Sequence, residues 1–227
     1  MRMKALLTGD VHFQFKYGFY FLYVIFSSIY IGLLLAFPVS WREKAAILMV
    51  FSDPAAMGLY FMGAIVLFEK SERVLDSLAV SPVKPMEYVL SKLCSISVIS
   101  TVAGLVIGFF GGGISNSFYF IAGLILCSSL FSSIGLMIAS SISTLNQFIL
   151  ATVPAELLIN VPAAAYLFGW KKSWLLLHPG VCMMELCTGG PGAPSSLGIL
   201  FLWALALALL AGRAAGRMFQ VLGGMKL

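Results

Sequence analysis

"SFYFIAGLILCSSLFSSIGLMIAS", residues 117–140, holds no charged side chain. As a helix rising about 1.5 Å per residue it is about 36 Å long, enough to cross a hydrocarbon layer of about 30 Å. The rest of the chain has the same character. Of 227 residues, 60% are hydrophobic and only 10% are charged, and mean hydropathy is +1.00. A soluble core could not hide so much apolar surface. The apolar runs are continuous rather than alternating, which excludes a membrane barrel. The sequence therefore specifies an all-α polytopic membrane protein, a single transmembrane domain over residues 1–227.

Working outward from residues 117–140 gives six spans: 17–37, ended by Pro38; 45–68; from after Lys92 to about 110; 117–140; 145–169; and 197–212. "GGGISN", residues 111–116, is a tight turn. Residues 1–16 carry Arg2, Lys4, Asp10 and Lys16 ahead of the first run. That run is too long for a signal segment and no small-residue cleavage site follows it, so 1–16 is expected as an amphipathic interfacial helix. Residues 170–196 form a long extracytoplasmic loop. Its parts 174–177 and 181–186 are apolar enough to lie against the membrane or dip into it.

The net charge of +5 does not indicate a nucleic-acid partner, because the basic residues are scattered among loops and carry topology instead. With the N-terminus inside, the inner segments hold Arg2, Lys4, Lys16, Lys70, Arg73, Lys84, Lys92, Arg213, Arg217 and Lys226. The outer loops hold only Arg42, Lys44, Lys171 and Lys172. The excess on one side favours both termini in the cytoplasm of a multi-pass cell (inner or plasma) membrane protein.

The charged residues concentrate in "LFEKSERVLDSLAVSPVKPMEYVLSK", residues 67–92, between spans two and three. Its first half is helical by pattern, with Val74, Leu75 and Leu78 on one face and Glu69, Glu72, Arg73 and Asp76 largely opposite. Glu69 and Arg73 stand four apart and can pair for a few tenths of a kcal/mol. Pro82 breaks the helix and Pro85 can open the next one. A solvated loop needs neither an apolar face nor two prolines. Helix, sharp turn, helix is the pattern of a docking element for a water-soluble partner.

Catalytic chemistry is missing. No Gly-x-x-x-x-Gly-Lys-Ser/Thr, HExxH or Gly-x-Ser-x-Gly occurs, His12 and His178 are isolated, and no metal-ligand spacing is present. The chain is expected to be a non-enzyme with no catalytic or metal residues. Two carboxylates inside spans need a reason. Asp53 precedes Pro54 and suits a helix N-cap, with a substrate role as the other reading. A helix over 54–68 alone is about 22 Å long, too short to cross, so it must run past Glu69 or lean on the segment before it. Glu156 and Asn160 lie one turn apart between Pro154 and Pro162, where freed carbonyls are expected. They are either a polar spot in a substrate path, or Glu156 is a protonated carboxyl bonded to a neighbouring helix. Gly104, Gly108 and Gly112, and Ser128, Ser129, Ser132 and Ser133, mark close helix packing. Cys182 and Cys187 are either a small disulfide loop or two free buried thiols.

These residues resemble a known family. Six spans, cytoplasmic termini, an interfacial helix and "FEKSERVLDSLAVSPVKPMEYVLSK" after span two are similar to the ABC-2 type (type V exporter-like) permeases. The matching positions are Glu69, Lys70, Arg73, Leu75, Leu78, Val80, Ser81, Pro82, Glu87, Tyr88 and Lys92. Val74 stands where the family has Thr, and Arg73 stands near a frequent Gly. The resemblance implies that 69–92 is a coupling helix seated on an ATPase, through Glu69, Lys70, Arg73, Leu75, Leu78, Ser81, Pro82, Glu87 and Tyr88. "FKYGFY" and "FSDPAAMGLYFMGAIVLFEK" are most similar to the fluoroquinolone-export permeases. The resemblance also implies a permease subunit of an ATP-driven exporter. Such a subunit would work by alternating access with two ATPase subunits and a second permease, as a homodimer, in the bilayer. ATP and Mg would sit on the partner and no cofactor on this chain, and the substrate would be hydrophobic or amphipathic and drug-like. Export of haem, lipid or peptide, or a non-transporting scaffold that recruits a cytosolic partner, are the alternatives.

Overall fold

A computed structural model describes residues 2–53, 57–111 and 116–222. Ten α-helices follow one another among the described residues, with no strand. They are α1 (Arg2–Lys16), α2 (Phe19–Ala36), α3 (Val39–Asp53), α4 (Leu59–Ser71), α5 (Val74–Ala79), α6 (Pro85–Phe110), α7 (Ser117–Ser141), α8 (Leu145–Leu167), α9 (Pro179–Thr188) and α10 (Ala193–Leu222). Five of them, α2, α6, α7, α8 and α10, are long and apolar enough to cross a membrane. The chain is a multi-pass membrane protein.

The expected second span is the exception. It is divided between α3 and α4, of 15 and 13 residues, neither of which qualifies as a crossing alone. α3 ends at Asp53 and α4 begins at Leu59; Pro54 between them lies outside the described residues, as does the side chain of Asp53. α4 does run past Glu69, ending at Ser71. α10 is longer than the expected sixth span, 30 residues in one helix.

α7 is the centre, packed against α10, α4 and α6. Lipid tails are as apolar as leucine, so burial alone gives helices no reason to associate, and close backbone approach supplies the contact energy instead. The small residues serve that end. A Cβ on Gly135 of α7 would stand 2.3 Å from the carbonyl oxygen of Leu59 in α4. Ser132 donates to Gly58 O at 3.2 Å. Gly104 of α6 takes the side chain of Leu124 of α7, where a Cβ would come within 2.6 Å. The serine and glycine spacing therefore reflects packing inside one bundle; Gly112 lies outside the described residues.

α9 is the second organising element. Pro179 through Cys187 are all buried, and α9 packs against α10, α7, α8 and α3. Of the two parts expected to lie against the membrane or dip into it, 181–186 belongs to this internal helix, whereas 174–177 falls in a short 3-10 helix (Ser173–Leu177) that buries Leu175 and exposes Trp174 and Leu177. Around the outside, α2, α8 and α10 expose large side chains such as Phe21, Leu150, Leu158 and Leu202, suited to lipid.

Candidate functional site

The charged stretch is two constructions in one. α4 ends at Ser71, and Arg73 takes a left-handed conformation (φ 58°) that starts α5 in a new direction. The expected single helical first half is therefore broken at Glu72 and Arg73. Pro85 opens α6 as expected, and the Glu87 carboxylate accepts the Lys84 N–H at 2.9 Å, satisfying one orphan donor of the first turn.

One construction faces inward. Lys92 is 2% exposed. Its Nζ lies 2.6 Å from Glu69 Oε1 and 2.8 Å from Asp10 Oδ1. Tyr88 Oη donates to the other Glu69 oxygen at 2.8 Å, and Ser91 Oγ donates to Asp10. The Lys92 ammonium also sits 4.8 Å from the centre of the Tyr88 ring. Glu69 therefore pairs with Lys92 and not with Arg73, because the left-handed turn removes Arg73 from the helical register. Burying these charges is costly unless the geometry satisfies them, and here an ammonium, a phenol and a serine do so. Lys70 is committed too. Its three N–H groups reach the carbonyls of Ala139, Ser140 and Ile142 at 2.6, 2.8 and 2.9 Å, capping the end of α7.

The other construction faces outward. Arg73, Asp76, Val80 and Pro82 are exposed, Val80 at 81% of its surface, while Leu75 is fully buried and Leu78 is partly so. Leu75 and Leu78 fix α5 to the bundle, packing that includes α10 and α4.

α1 clasps this whole region. Arg2 Nη1 donates to Pro82 O at 3.1 Å, Asp10 meets Lys92, Gln14 Nε2 donates to Ser95 Oγ at 2.8 Å, and Tyr17 Oη donates to Glu72. The Tyr17 ring also stacks on Phe68 at 5.5 Å.

A second polar place lies on α8. Tyr60 Oη of α4 donates to Glu156 Oε2 at 3.0 Å, and Asn160 Oδ1 is buried without a partner among the described residues. α8 runs through both prolines as one helix. Pro162 has no N–H for the carbonyl of Leu158, four residues back, and His178 Nε2 takes that carbonyl at 3.2 Å. The ring nitrogen Nε2 must then carry the proton. Burial lowers the His178 pKa below its ordinary value.

The family model of the fluoroquinolones export permease protein family matches residues 1–215. The chain belongs to that family. Two Mycobacterium tuberculosis proteins, from strains CDC 1551 / Oshkosh and H37Rv, are each named fluoroquinolones export permease protein. Each is 28% identical to the chain over 182 residues, covering 78% of this chain and 76% of the relative.

The family match covers residues 1–16, so the sequence of α1 lies within the matched region. The sequence alone gathered residues 67–92 into one stretch but did not show which of them face inward. Glu69 and Tyr88 stand inside, Lys70 is partly buried against the end of α7, Glu87 is a helix-capping group, and Arg73 and Pro82 are at the surface. Asp10, Gln14 and Tyr17 were missed as partners. A lone acid in an interfacial helix, with a lone lysine at the head of a span, was the available signal. Glu185 was missed as well. It is buried on α9 and accepts the Tyr166 hydroxyl. Cys182 and Cys187 are free buried thiols, so the disulfide alternative is not realised. Five residues along an α-helix turn by about 140°, which points two side chains apart. Burial pushes Cys182 up to about 11 and Cys187 up to about 12.

Proposed function

We propose that this chain is the membrane subunit of an ATP-driven exporter for a hydrophobic or amphipathic drug-like substrate, with ATP hydrolysed on a separate cytosolic ATPase. The observation that carries this reading is the rigid mounting of an exposed tip. Asp76, Val80 and Pro82 stand in the open, while Lys92, Glu69 and Lys70 lock the base beneath them into α1, α6 and α7. A mounting of that kind passes force; a solvated loop has no use for it. The tip would seat on the ATPase, with α5 as the coupling helix. α3 and α4 together would make the sixth crossing, both termini would be cytoplasmic, and two permeases would pair. ATP closure of two ATPases would then rock the bundles between inward and outward states. Tyr60, Glu156 and Asn160 would be the polar spot on the substrate path, where a carboxylate favours a substrate bearing a cationic amine. The names of the Mycobacterium tuberculosis relatives support fluoroquinolones as the first substrates to try.

The test reconstitutes the chain with its ATPase in lipid and compares wild type with Asp76→Lys/Val80→Asp. The reading requires loss of ATPase binding or of drug-stimulated hydrolysis, with thermal stability of the permease unchanged. Normal stimulation in that variant would sink it.

A further inference from the structure

The end of the bundle where α4, α7 and α10 finish holds a cleft of about 600 Å³. Its polar wall carries Lys70, Arg217, Ser141 and Ser143, and its apolar floor includes Met218 and Leu222. Among the described residues no side-chain carboxylate lines it. Such a place ought to be electrically poor for an anion, because the carbonyl end of α7 opens here. Lys70 removes that objection by covering three of those carbonyls with its three N–H groups. Arg217 is then left over. Its guanidinium makes no hydrogen bond or ion pair among the described residues, and Arg213 stands one turn before it, exposed on α10. The hydroxyls of Ser141 and Ser143 are likewise exposed and without a side-chain hydrogen bond there. Ser143 directly precedes Thr144, the N-cap of α8, so the positive end of a 23-residue helix adjoins the rim.

We infer that this cleft binds a phosphate group, and that the source is the headgroup of an anionic phospholipid. The guanidinium offers paired donors to two phosphate oxygens, the serines offer two more, and Lys70 supplies charge without a free donor. Below the headgroup, Met218 and Leu222 meet the glycerol and the first methylenes. Basic pockets between helices at the membrane surface have this chemistry. Lipid binding here needs only that the chain lies in a bilayer. It does not depend on transport, on the ATPase or on which side is cytoplasmic.

Native mass spectrometry of the full chain in detergent provides the test, with phosphatidylglycerol, phosphatidylcholine and inorganic phosphate as probes. Phosphatidylglycerol should be retained over phosphatidylcholine by roughly fivefold to thirtyfold, the value of one or two basic contacts. Arg217→Gln should abolish that preference and Arg217→Lys should keep part of it. Lys171→Gln, outside the cleft, should leave it unchanged. Ser143→Asp, at an exposed position, should abolish it too, and serves if Arg217→Gln fails to fold. If millimolar inorganic phosphate displaces the lipid, the site takes the phosphate group alone; if it does not, the lipid is the ligand. Equal retention of the two lipids, or a preference that survives both Arg217→Gln and Ser143→Asp, overturns the inference.

Discussion

Lys92→Met should destabilise the folded chain by about 3–5 kcal/mol, the range for stranding a charge whose buried partner has been removed. The three side chains are exposed to unequal degrees: 2% for Lys92, 5% for Glu69 and 11% for Asp10. Asp10 can recover some water from the edge of α1. Glu69 cannot, and keeps only the Tyr88 hydroxyl at 2.8 Å. Most of the loss therefore sits on Glu69, with repulsion from Asp10 adding to it. For a chain of this size 1 kcal/mol moves the melting temperature by about 2–4 °C, so a fall of roughly 10 °C is expected. Thermal unfolding of the purified chain in detergent, followed by tryptophan fluorescence, measures it. Proteolysis within α1 should quicken in parallel, since Asp10 loses its anchor. Lys92→Met/Glu69→Gln should recover more than half of the loss, because the stranded charge is gone and the two sites are coupled. A single variant within about 1 kcal/mol of wild type, or a double variant no better than the single, would refute the reasoning.

Four other perturbations have definite outcomes. Arg73→Gly should raise stability by about 1 kcal/mol by removing the left-handed penalty at φ 58°, whereas Arg73→Val should lower it; melting temperatures decide. Gly135→Ala should cost about 1–3 kcal/mol, because a Cβ there meets the Leu59 backbone at 2.3 Å and a carbonyl cannot swing aside; an unchanged melting temperature would contradict the α4–α7 approach. Cys182 and Cys187 stay protonated in the fold well above the ordinary thiol value of 9.0. The unfolded thiols lose their protons first, so their contribution to stability is full below about pH 9 and lost as pH rises through about 11 to 12; a melting temperature flat with pH, or maleimide reaction at Cys182 or Cys187 of a folded Cys94→Ser chain at neutral pH, would count against their burial. Glu156→Gln keeps an acceptor for Tyr60 and should leave stability unchanged while lowering export of an amine-bearing drug, as read by accumulation in whole cells.

The long helices were legible because hydropathy is a local property. The run 117–140 became Ser117–Ser141, and 145–169 became Leu145–Leu167. Pro85 opening α6 was legible for the same reason, since a ring without an N–H acts within one turn. What could not be read was which way the polar residues point. The partner of Lys92 on α1 is 82 positions away, and the Glu156–Tyr60 pair spans 96. No periodicity encodes such meetings. Arg73 illustrates a local feature that was still missed. Charge spacing put it on the helix beside Glu69, and only the left-handed turn at that residue takes it away. Asp53 was expected to cap a helix, and its side chain lies outside the described residues.

The burial of α9 bears on the order in which the molecule can be made. The Asp10–Glu69–Lys92 lock is complete once the first 92 residues have left the ribosome. The opposite end must wait. α3, α7 and α8 have all been synthesised before α9 exists to fill the space among them, and α10, its largest neighbour, comes last. Until then Glu185 has not met Tyr166, and the apolar faces around both stay open to the insertion machinery. Biogenesis of this chain should therefore proceed by early consolidation at one membrane surface and late closure at the other. A ribosome stalled before residue 179 would hold a half-sealed bundle.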